Sequence, residues 1–70
     1  MFKVRLNKHY STWYWYVENP QGGGFGSNYC GSKAVVMKSA LRGLAAGAKY
    51  TLTVNDKPQG TFTKGENHAN

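Results

Sequence analysis

Carboxylates are scarce in this chain. Glu18, Asp56 and Glu66 are its three acidic residues, against nine Lys and Arg in 70 residues. Asp56 falls in a stretch of turn formers and Glu66 in the C-terminal tail, so no pair is placed for general acid–base work. Cysteine occurs once, as Cys30. That excludes an internal disulfide framework and, by itself, a zinc site. Cys30 precedes a predicted helix, where a thiol pKa can fall. Its possible partners, His9 and His68, lie in a turn and a tail, and a Cys–His nucleophile needs its base held within reach. These shortages predict a protein that is not an enzyme, with no metal, no cofactor and no small-molecule substrate. Long apolar runs are absent too. Nothing approaches the ~20 residues of a membrane span, and the N-terminus lacks the apolar stretch of a signal peptide. Together with the single thiol, this predicts a reducing, cytoplasmic setting and no membrane partner.

Positive charge is abundant. The net charge is +6 and the pI about 9.7. Such a balance favours acidic partners, nucleic acid first and an anionic membrane or acidic protein face after, although it also serves simple solubility.

Aromatics are concentrated. The stretch Thr12-Trp13-Tyr14-Trp15-Tyr16-Val17 sets four rings in a row. Aromatic and β-branched residues suit a pleated surface, so it predicts a strand. Side chains alternate between faces: Trp13, Trp15 and Val17 share one, Thr12, Tyr14, Tyr16 and Glu18 the other. Phe2-Lys3-Val4-Arg5-Leu6-Asn7 alternates in the same way. With Lys8 to Ser11 as the turn, the two runs predict an antiparallel hairpin. Pairing the apolar sets puts both tryptophans in the core with Phe2, Val4 and Leu6. Lys3 and Arg5 then stand beside Tyr14 and Tyr16 on the outer face.

Asn19-Pro20 ends the second strand. Gln21 to Gly26 holds four glycines in six residues and predicts a flexible connector, with at most a short edge strand over Phe25–Tyr29. It matches neither G-x-G-x-x-G nor the lysine-bearing phosphate loop. Ser32 is a predicted N-cap. From Lys33 to about Ala46, Val36, Met37, Ala40, Leu41 and Leu44 form one helical stripe. Lys38, Ser39 and Arg42 fall opposite, Lys38 and Arg42 as a secondary basic patch. Gly43 predicts a close approach to the sheet and Gly47 the helix stop. Tyr50-Thr51-Leu52-Thr53-Val54 alternates again, Asn55 to Gly60 predicts a turn, and Thr61-Phe62-Thr63 a short return strand. Residues 1–64 form one predicted domain and 65–70 a disordered tail.

The expected fold is α+β, ββαββ: a mostly antiparallel four-stranded sheet with one amphipathic helix on one face. Its outer face would carry Lys3, Arg5, Tyr14 and Tyr16, with Thr51, Thr53, Thr61 and Thr63 on the other strands. Cations interleaved with exposed rings hold nucleic acid: phosphates meet the charge and bases stack, single strands best. The same residue types serve ordinary strand surfaces and protein interfaces.

Across residues 2–63, a hairpin, a glycine-bearing connector, one helix and a second hairpin resemble very small bacterial and phage proteins. Phage-encoded inhibitors of host machinery, some anti-CRISPR proteins and RNA polymerase inhibitors among them, share this build. The resemblance implies an alternative function, inhibition of a host protein or ribonucleoprotein complex. Many such inhibitors are acidic mimics of nucleic acid, and the charge of +6 departs from that. A plug against an acidic host protein surface, or an occupant of an RNA-bearing complex, suits the charge better.

Overall fold

The two alternating N-terminal runs form the strands their pattern demands. The computed structural model describes residues 1–27 and 31–65, and the backbone alone at Ser27. Its elements are β1 (Phe2–His9), β2 (Thr12–Glu18), β3 (Gly24–Ser27), α1 (Lys33–Arg42), β4 (Lys49–Val54) and β5 (Lys57–Thr63). The expectation of a disordered tail falls almost wholly outside the described residues, as does that for Cys30.

The class is α+β, but the sheet corrects the expectation in two ways. It has five strands, in the order β3-β2-β1-β4-β5, and it is mixed. β1 pairs with β4 in parallel, Val4 beside Leu52 and Leu6 beside Val54, while the other pairings are antiparallel. Parallel neighbours need a crossover connection, usually helical. Here β3 leads into α1, which returns the chain past β2 to the free side of β1.

Three short connections set the register. Tyr10 and Ser11 join β1 to β2, with Tyr10 at φ 58°. Between β2 and β3, the Asn19 side-chain oxygen accepts the N–H groups of Gln21 and Gly23, each at 3.0 Å. Half of the expected glycine connector is therefore strand. Between β4 and β5, Asn55 and Asp56 take φ of 50° and 67°, the positive values that a type I′ hairpin turn requires. The turn is thus two residues, not the expected six, and β5 starts at Lys57. Pro58 is tolerated because β5 is an edge strand. Asn55 also fastens the turn to β1: its N–H donates to Leu6 O and its Oδ1 accepts the Lys8 N–H, both at 2.8 Å.

α1 begins as expected, with the Val35 N–H donating to Ser32 Oγ at 3.3 Å. It ends earlier, at Arg42, with Gly43 as its cap. Gly47, the expected stop, instead turns the following loop at φ 87°. The Lys64 ammonium donates to Leu41 O and Leu44 O at 2.5 and 2.6 Å, tying the last turn of α1 and the residue just past its cap to the end of β5; Leu41 O also accepts the Leu44 N–H at 3.0 Å.

The core lies between α1 and one sheet face. Val4, Leu6, Val17, Val36 and Ala40 are fully buried, with Leu44 and Tyr50 nearly so. Full burial of each larger aliphatic contributes about 1.5–3 kcal/mol. Trp13 and Trp15 share this face as expected but are only half-buried, packed against the core rather than at its centre. A ten-residue helix spans about 15 Å, too little to roof two adjacent indoles as well as the aliphatic centre. Among the described residues, the buried Nε1 of Trp15 has no acceptor. The Trp15 ring meets Phe25 edge-on, with centroids 5.6 Å apart. Phe25 in turn lies against Gly43, where a Cβ would come within 2.8 Å of the ring. Gly43 does serve close approach to the sheet.

Candidate nucleic-acid interface

Residues opposite one another across a ladder share a face, so the register assigns the second sheet face directly. Arg5 pairs with Tyr16 on one side and Thr53 on the other. Asn7 pairs with Tyr14, and Lys3 lies between Glu18 and Thr51. Thr51 is followed outward by Thr61. No described element covers this face, since α1 packs against the other side of β2 and β1. The residues singled out from the sequence, Lys3, Arg5, Tyr14, Tyr16, Thr51 and Thr53, are thus contiguous. Lys38 and Arg42 lie apart from them, on α1 behind the sheet.

The two tyrosines differ in setting. Tyr14 is half-buried among its neighbours, whereas Tyr16 is 41% exposed. The place of the Tyr16 ring is fixed by what β3 lacks. A Cβ on Gly26 would meet Tyr16 Cδ1 at 3.0 Å, and one on Gly24 would strike the ring carbon Cζ at 2.6 Å and the hydroxyl. The ring therefore lies along the edge strand in the room left by two glycines. Tyr16 stays 41% exposed there.

Charge on the face is mostly positive. Lys3 and Arg5 are exposed, and Glu18 at the end of β2 is the carboxylate nearest to them in register. Lys49 adds a third cation, because β4 alternation places it with Thr51 and Thr53 and opposite Thr63. Sequence reasoning missed it by starting the strand one residue late. From Lys3 to His9 the central strand offers a track of about 20 Å. At its far end stands Tyr10, 89% exposed and in left-handed backbone, with its ring edge-on to His9 at 4.6 Å. A bulky residue at positive φ is a genuine outlier. The sequence did carry a signal for it: a tyrosine where a tight turn ordinarily places Asn or Gly.

Among the described residues, no group of three or more His, Cys, Asp or Glu side chains is assembled to hold a metal ion. No described helix is long and apolar enough to cross a membrane. Set beside known proteins, the chain matches no protein-family model, no curated protein and no solved structure.

Proposed function

We propose that this chain is a non-enzymatic binding module that holds single-stranded nucleic acid across its uncovered sheet face. The observation that carries this is the row Tyr16–Arg5–Thr53, in register on a face that no described element covers. Arg5, Lys3 and Lys49 supply phosphate contacts. Tyr16, seated beside Gly24 and Gly26, supplies a ring for a base at little further entropy cost, because its position is already set. Tyr14 and Tyr10 extend the aromatic contacts along and beyond β2. The threonine hydroxyls on β4 supply hydrogen bonds to sugar or phosphate without choosing a base.

The test is fluorescence anisotropy with labelled single- and double-stranded oligonucleotides over a range of salt. Three phosphate contacts predict that log K falls against log salt with a slope of roughly −2 for a single strand. Single strands should bind more tightly than duplex. No binding at low salt, from protein that circular dichroism shows folded, would overturn the proposal and turn attention to an acidic protein partner for the same face.

A further inference from the structure

Behind the sheet, where α1 ends beside the end of β5, lies a hollow of about 450 Å³ lined by Lys38, Leu41, Arg42, Tyr50, Thr63 and Lys64. Its volume falls in the range of small-ligand sites. The contents of its wall are unusual for so small a protein. Leu41 and the nearly buried Tyr50 make an apolar side, and the remainder carries three cations and no carboxylate among the described residues.

The placement of those cations points to the charge of the ligand. Lys38 and Arg42 are four apart on α1, so their side chains emerge from one helix face about 5–6 Å apart at Cβ. Like charges at that spacing repel, at a small cost that an anion between them would remove. A helix C-terminus ordinarily disfavours anions, because its free carbonyls carry partial negative charge. Here Lys64 has already engaged the Leu41 and Leu44 carbonyls. A lysine ammonium has three donors, so one remains for a ligand oxygen. Three cations lining one hollow suit a group of charge near −2, which a phosphomonoester carries at neutral pH. The adjoining Leu41 and Tyr50 suit a flat apolar body attached to it.

We propose that this hollow is a second site, sharing none of its cations with the uncovered sheet face, for a phosphomonoester borne on a flat aromatic body. An aryl phosphate and a nucleoside monophosphate share that chemistry. This goes against the expectation of no small ligand that the composition alone suggests.

The test is a titration of the folded protein with phenyl phosphate, adenosine monophosphate, inorganic phosphate and adenosine, followed by amide chemical shifts and calorimetry. Saturable shifts confined to the end of α1 and the end of β5 are expected with the first two ligands. Inorganic phosphate and adenosine should each bind at least tenfold more weakly than the phosphomonoester that joins them. Arg42→Ala should weaken binding by about tenfold or more, the loss of a charge-assisted contact. Lys38→Ala should act in the same direction, whereas Tyr16→Ala should leave the titration unchanged. The tighter of phenyl phosphate and adenosine monophosphate identifies the source of the phosphate. Absence of saturation at millimolar ligand, shifts located on Arg5 and Tyr16 instead, or inorganic phosphate binding as tightly as phenyl phosphate would each overturn the proposal. None of these outcomes depends on whether the sheet face binds an oligonucleotide.

Discussion

The ring of Tyr16 occupies the place where a side chain at Gly24 would stand. Each explains the other. A glycine in a strand weakens it and commonly marks a close approach, and here the approaching group is the more exposed of the two β2 tyrosines on the candidate face. Gly24→Ala should therefore do two things. The added methyl meets the Val17 carbonyl at 2.7 Å as well as the ring, so β3 must shift, at a cost of about 1–3 kcal/mol. It should also lift Tyr16 from its bed and weaken oligonucleotide binding. Urea midpoints and anisotropy on the same samples measure both. Adding Tyr16→Ala should recover only part of the lost stability, because the contact with backbone remains.

On the face itself, rings and cations should fail differently. Tyr16→Ala should weaken binding of a single strand by about 1–3 kcal/mol with the salt slope unchanged. Arg5→Ala should flatten that slope by roughly 0.7, one phosphate contact. Both proteins should stay folded, since neither side chain reaches the core. A ring substitution that altered the salt slope as much as Arg5→Ala would contradict this division of roles.

Lys64 should matter to stability although it lies just past the last strand. Replacing it by Met keeps most of the aliphatic stem and removes two charge-assisted bonds, one to a carbonyl of the last helical turn and one to Leu44 just past the cap. The expected loss is about 1.5–3 kcal/mol, or some 4–8 °C of melting temperature for each kcal/mol in a domain of this size. An unchanged melting curve would show that the carbonyls are as well served by water.

Alkaline pH should destabilise the fold through Tyr50. Burial raises its pKa above the ordinary 10.0, because desolvation disfavours the phenolate. The folded state thus holds the proton more tightly than the unfolded one. The associated stability is fully present below pH 10.0 and is lost as pH rises through the raised folded value. Absorbance of tyrosinate should show a late-titrating component that Tyr50→Phe removes, together with its part of the alkaline loss in urea midpoint. Equal alkaline sensitivity in the variant would assign the loss elsewhere.

Face assignments were legible in the sequence because the strand period is two. Arg5 alternates with Val4 and Leu6, and Tyr16 with Trp15 and Val17, whichever strands lie beside them. Neighbours were not legible, since alternation says which way a side chain points and nothing of who pairs with whom. That is why the parallel β1–β4 pairing escaped. β3 and β5 were only partly legible, as at most a short edge strand over Phe25–Tyr29 and a return strand over Thr61–Thr63, for another reason. Gly24 and Gly26 look like loop until Tyr16 is seen lying over them. Pro58 and Gly60 look like turn until the two-residue bend at Asn55 and Asp56 is found to suffice. In both edge strands, residues chosen for a neighbour's needs obscured their own secondary structure. The helix end was misplaced by a similar ambiguity, two glycines four residues apart, of which the earlier met Phe25.

The central place of β1 has a consequence for how the chain is made. It is the first of the five strands to leave the ribosome, and its second partner, β4, ends at Val54. Until β4 is made, β1 is therefore a half-paired edge carrying Val4 and Leu6, the kind of exposed template on which chains join one another. The cations that alternate with those residues, Lys3 and Arg5, repel a second copy of the same strand during that interval. Charges read above as a grip for phosphate also act as a guard for the nascent chain, and neutralising both should lower soluble yield even where the finished fold is unharmed.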